Sequence, residues 1–148
     1  MYNAVEVAEY VIRYCKQHRY FVSNLKLQKI LYFIQANFLV ELQKPCFCEE
    51  IEAWDFGPVV PEAYNAYRIF GNASIPYLEK SEIFSEISEK DKRCMDEIIE
   101  KCSEYSTSEL VAITQKQLPW METYEKYYHN VMSKEAIRDY FKDNKRKR

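Results

Sequence analysis

Only two of the 148 residues are glycine, Gly57 and Gly71. Glycine is the residue that enters left-handed backbone without steric cost. A chain with so little of it cannot build Gly-rich phosphate loops or many tight hairpins. It is left with elements that need no such freedom, helices above all. Both glycines fall in AWDFGPVVPEAYNAYRIFG, residues 53–71, together with Pro58 and Pro61. Unusual backbone is therefore expected in that one place.

Elsewhere the spacing of apolar residues has a helical period. Val5, Ala8, Ile12 and Cys15 predict a first helix over about 3–17. A second begins at Ser23 or Asn24, either of which caps a helix well, and runs to about Gln43 before Pro45. Its stripe is Leu27, Ile30, Leu31, Ile34, Phe38 and Leu42, the most apolar in the chain, which places this helix at the centre. Residues 46–56 alternate partly and predict one or two short strands. Val60 precedes proline and should be extended. Pro61 should open a third helix, with Ala63, Ala66, Tyr67 and Phe70 on one face and Gly71 as its terminator.

Residues 72–88 read as loop, with Pro76 in a short extended piece. Met95, Ile98, Ile99 and Cys102 mark a fourth helix over about 89–104. Ser106 and Glu109 form a capping box for a fifth, carrying Leu110, Ile113 and Thr114. Pro119-Trp120 interrupts it. After a Tyr-rich segment, Ser133 caps a last helix with Ala136, Ile137, Tyr140 and Phe141 inward. The fold class is mainly α: a compact single-domain bundle of about five to six helices with a minor β element. The domain covers 1–141, followed by a short basic tail, 142–148, expected to be frayed and solvated.

Composition limits the functions open to such a chain. At 47% hydrophobic residues it is globular. Thirteen tyrosines point to amphipathic surfaces or a core with polar tips. The net charge is −2, but the tail holds five basic residues and one acidic one, leaving the body at −6. An acidic body argues against a nucleic-acid face, beyond weak phosphate contact by the tail. The odd number of cysteines, five, and an N-terminus without an apolar leader favour a reducing cytoplasm. The longest apolar run is far short of the ~20 residues of a membrane helix.

Catalytic and metal readings have little to stand on. Cys46-x-Cys48 lacks zinc spacing and a second pair, and Cys15 with His18 lacks a third ligand. For a Cys–His enzyme, His18 and His129 are the two histidines on offer. Glu49, Glu50 and Glu52 read as a solvated charge run. No cofactor is expected.

Three blocks carry a family resemblance. NLKLQKILYFIQA (residues 24–36), IEAWDFGPVVPEAYNAYRIFG (51–71) and LVAITQKQLPW (110–120) resemble, in order and spacing, the Panacea domain. This is the SocA-like antitoxin family, also described as phage-associated GepA-like proteins. The resemblance implies a binding protein and not an enzyme. Its partner would be a cognate toxin, encoded by the adjacent gene and neutralised by direct contact. Some relatives resemble adaptors that deliver a toxin to a protease, and a phage accessory or regulatory role is the further alternative. The family commonly has a histidine where Gln115 stands; glutamine keeps the hydrogen bonding but not acid–base chemistry.

The candidate partner-binding residues follow from these readings. Lys26, Gln28, Tyr32 and Gln35 lie on the faces that the apolar stripe of helix two leaves free, and either meet a partner or are satisfied within the domain. Trp54, Asp55, Gly57 and Pro58 form the turn. Tyr64 and Arg68 lie one turn apart on the edge of helix three, and Gln115 and Trp120 belong to the third block. Tyr and Arg are enriched at interfaces.

Overall fold

The computed structural model describes residues 1–77 and 86–146. Seven α-helices and one small antiparallel sheet occur among the described residues: α1 (Ala4–Gln17), α2 (Asn24–Asn37), β1 (Ile51–Trp54), β2 (Gly57–Val59), α3 (Pro61–Tyr67), α4 (Glu89–Ser103), α5 (Thr107–Gln115), α6 (Leu118–Met121), β3 (Asn130–Met132) and α7 (Lys134–Arg146). None is long and apolar enough to cross a membrane.

The second helix is the axle of the fold. Ser23 caps it, accepting from the Lys26 backbone N–H at 3.2 Å. Five further helices and β2 pack around it. All but Leu25, Phe33 and Asn37 of its fourteen residues are buried. A helix covered all round has no polar face to show solvent. It continues as a π-helical turn, Phe38–Leu42, and ends where Gln43 takes a left-handed conformation (φ 55°).

The tyrosines explain how α1 holds α4. Tyr2 donates to Asp91 (2.6 Å), and Tyr10 to Asp96 (2.5 Å). Tyr14 and Tyr20 both donate to Glu100 (2.7 Å each). The Tyr14 and Tyr20 hydroxyls hold the Glu100 carboxyl below the usual carboxylate range. Each ring packs on the core while its hydroxyl meets a carboxylate at the rim.

Caps set the other helix starts. Ser88 caps α4, Ser106 and Glu109 form the expected reciprocal box on α5, and Ser133 accepts from the Ala136 N–H at the start of α7. Val60 is extended (φ −98°, ψ 103°) and Pro61 opens α3. A 3₁₀ turn, Arg68–Phe70, follows, and Gly71 ends it at φ 55°.

The structure differs from the sequence reading in several places. Val5 is half-buried, and Ala66 and Ala136 are exposed, off the buried stripes of their helices. The Tyr-rich segment contains a third strand, β3, too short for its alternation to stand out. Pro119 lies at the start of a separate one-turn helix, α6. The tail is helical through Arg146 and so is not frayed there: α7 continues across position 142, and Lys145 pairs with Glu41 beside the π-turn. Of the expected 72–88 loop, 72–77 is irregular, with the Ile75 N–H donating to Val22 C=O (2.9 Å); positions 78–85 lie outside the described residues.

Strand order in the sheet is β2-β1-β3, both pairs antiparallel. Trp54 faces Gly57 across a two-residue turn, Ala53 faces Pro58, and Glu52 faces Val59. Pro58 has no N–H, so Ala53–Pro58 is the non-hydrogen-bonded pair. The Pro58 carbonyl therefore points away from β1, toward α2.

Candidate partner-binding site

The polar side chains of α2 serve irregular backbone. Lys29 donates from Nζ to that outward carbonyl of Pro58 (2.9 Å). Gln28 accepts from the Val60 N–H (2.9 Å) and donates to Asn24 Oδ1, while Asn24 donates to the Tyr64 carbonyl (3.0 Å). Gln35 accepts from the Cys46 and Phe47 N–H groups (2.7 and 3.3 Å) and donates to the Phe47 carbonyl (2.9 Å). Tyr32 donates to Gln117 Oε1 (2.7 Å). Backbone without a ladder partner is costly to bury, and these side chains supply the missing partners.

Lys26, Gln28, Tyr32 and Gln35 are therefore interior. Their side chains are buried and, Lys26 aside, bonded within the domain. In this conformation they are turned inward: Gln28 holds the turn from beneath, Gln35 holds residues 46–47 and Tyr32 holds Gln117. Gly57 and Pro58 are buried as well. Gly57 has φ +99°, and a Cβ there would lie 2.6 Å from Thr114 Oγ1 and 2.9 Å from Lys29 Cε. Its place demands glycine twice over, by conformation and by space.

Lys29 is fully buried, and burial alone brings its amine down to about 7. No charged neighbour contributes to that shift. The amine is thus poised between its neutral and charged forms near neutrality.

The remaining candidates come together at the surface. Gln115 donates to the Asp55 carbonyl (2.9 Å), Trp120 Nε1 to the Trp54 carbonyl (2.8 Å), and the Tyr124 hydroxyl to Asp55 Oδ1 (2.5 Å). That last bond raises the Tyr124 hydroxyl above its ordinary range. Trp120 and Tyr124 stack at 4.5 Å. The Trp54 ring lies between His129, stacked at 4.3 Å, and Tyr64, edge-on at 5.0 Å. Its indole N–H donates to Glu52 (2.9 Å). Arg68 is exposed nearby on the chain, one turn beyond Tyr64. The hairpin tip is thus held from α2 below and from α5 and α6 beside it, while Phe56, Leu118 and Met121 are each more than half exposed.

Sequence reasoning missed His129, Tyr124 and Phe56. His129 depends on β3, whose three residues carry too short a period to read. Phe56 occupies a turn in a stretch where an aromatic residue suggests a strand.

Burial pushes the Cys15 thiol up to about 11 and Cys102 to about 12, and Cys46, Cys48 and Cys94 are raised too. None is a thiolate at neutral pH. Among the described residues no three His, Cys, Asp or Glu side chains converge as metal ligands would. The Gln115 contact calls for a hydrogen-bond donor, which the amide supplies without titrating.

Fold and site together define a helical domain that presents one rigid aromatic hairpin tip. A family model described as antitoxin SocA-like, Panacea domain, matches residues 27–121. The chain belongs to that family, and the three sequence blocks that resembled it make up its axle, its hairpin with α3, and its α5–α6 wall. A protein named Antitoxin SocA from Caulobacter vibrioides (strain NA1000 / CB15N) is 46% identical over 50 residues, 34% of this chain and 27% of that protein. The chain thus matches little more than a quarter of that relative's length. No solved structure matches at a significant level.

Proposed function

We propose that this chain is an antitoxin that neutralises one cognate toxin by direct protein–protein contact, the toxin being encoded by the adjacent gene. The reading rests on the family and on one observation. Trp54, Asp55, Gln115 and Trp120 at the hairpin tip are locked in place by hydrogen bonds, with Tyr64 packed on Trp54 and Arg68 one turn beyond, yet they border exposed Phe56, Leu118 and Met121. Rigid aromatic groups beside exposed apolar ones are what a partner anchors on. Gly57, Pro58, Gln28 and Tyr32 act indirectly, by holding that surface, while Lys26 and Gln35 belong to the core beneath it. A specific complex needs roughly 800 Å² from each partner, so contact extends beyond the tip.

The test is growth. The adjacent gene is expressed in a bacterial host with and without this chain, and colonies are counted. Killing by the neighbour and rescue by the chain, preserved in a protease-deficient host, is the expected result. Rescue that disappears without the protease would make the chain an adaptor. No killing or no rescue would contradict the reading.

A further inference from the structure

The two edges of the sheet are treated in opposite ways. The β2 edge is closed: Pro58 has no N–H, its carbonyl is bound by Lys29, and the next N–H, that of Val60, is bound by Gln28. Among the described residues the β3 edge has no such cover. Because Ala53–Pro58 is the non-hydrogen-bonded pair of β1 and β2, Glu52 and Trp54 direct their backbone groups to β2, and Ile51 and Ala53 direct theirs to β3. The register pairs Ile51 with Met132, Glu52 with Val131, and Ala53 with Asn130. The hydrogen-bonded pairs on this side are therefore Ile51–Met132 and Ala53–Asn130. Val131 is left with its N–H and C=O directed outward, at the free edge. Its side chain is half exposed, and Tyr127 and Tyr128 just before it are more exposed still.

Natural sheets guard such an edge with proline, charge or a covering element. Here the opposite edge is guarded by a proline and by two side chains of α2, and among the described residues this one is open. From that asymmetry we infer that β3 is a docking edge, onto which an extended, basic segment of the toxin adds as a fourth strand. The inference rests on the antitoxin reading and names how that partner is held.

Charge selects the occupant. The residues flanking β1 and β3 on the chain include Glu50, Glu122, Glu125 and Glu135 against Lys126 and Lys134. Lys134 is paired with Glu50 (3.5 Å), and Lys126 lies over the Tyr127 ring (5.2 Å). The surplus is acidic. A second copy would bring like charges together across the new ladder, whereas a segment with Lys or Arg beside an apolar residue complements them.

The experiment measures binding of the adjacent gene's product to the full chain by calorimetry, with amide hydrogen exchange on the complex. Val131→Pro removes a donor that the fold does not use, so the melting temperature should change little, while affinity falls at least tenfold. Val131→Thr keeps the backbone and should bind within about twofold of the wild type. The Val131 amide should become protected in the wild-type complex. Should Val131→Pro unfold, Glu122→Lys with Glu125→Lys decides together with the exchange data: it should weaken binding most at low salt. Wild-type binding without Val131 protection, or unchanged affinity in the proline and charge variants, would overturn the docking edge and leave the antitoxin reading standing. A wild-type dimer abolished by Val131→Pro would give the edge to a second copy and overturn it as well. No binding of the neighbour by the wild type would sink both.

Discussion

Helix α2 and the segment 118–132 break the same rule in opposite directions. The helix buries two lysines, two glutamines, an asparagine and a tyrosine hydroxyl. The segment exposes Leu118, Met121, Tyr127, Tyr128 and Val131. In α2 the polar atoms, that of Lys26 aside, have partners inside, most of them hairpin, loop and α3 backbone that would otherwise be buried without any. In the segment the apolar side chains have no inside to go to: α6 is one turn long and β3 three residues, too short to tuck both faces away. The difference teaches that polarity alone locates neither the core nor the interface in this chain. What locates them is whether each group's partner lies within the domain.

The largest effect should come from Lys29. Its amine lies near 7 in the folded chain and at 10.5 in the unfolded one. Across that window the unfolded chain holds a proton the folded chain does not, so stability rises with pH from about 7 to 10.5, by on the order of 5 kcal/mol if the whole shift is realised. Lys29→Met should flatten that rise, matching or exceeding the wild type at pH 7 and falling behind it near pH 10. Urea unfolding at the two pH values checks this; a variant with the wild-type slope would break the account of α2.

Gln35→Leu comes next. It strands two buried N–H groups and a carbonyl in residues 46–47, and should cost about 2–4 kcal/mol in the same assay. Gly57→Ala meets both positive φ and a filled space, and should cost about 2–3 kcal/mol. Gln115→Ala removes one half-exposed bond to the hairpin tip, for about 1 kcal/mol. At the other pole, Tyr127→Ala and Tyr128→Ala should stay within about 0.5 kcal/mol of the wild type. A large loss at either tyrosine would show that the segment is structural after all.

Much of the fold was legible because helices carry long signals. The stripe of α2, Pro61 at the start of α3 and the Ser106–Glu109 box each repeat or reinforce a cue over several residues. β3 was not legible, since three residues cannot establish a period of two. The site was legible in part. Trp54 and Asp55 were singled out in one block and Gln115 and Trp120 in another; that they meet, 60 residues or more apart on the chain, is seen only in the fold. The polar row of α2 could not be assigned inside or outside from sequence, because the backbone that satisfies it belongs to distant segments whose course only the fold reveals. His129 over Trp54 was hidden for the same reason.

One measurement tests the central claim, that this exposed surface and not the polar face of α2 meets the partner. Phe56→Asp combined with Met121→Asp changes only exposed side chains. The account predicts a wild-type melting temperature together with failure to rescue cells from the adjacent gene's product. A double variant that rescues as well as the wild type would contradict it.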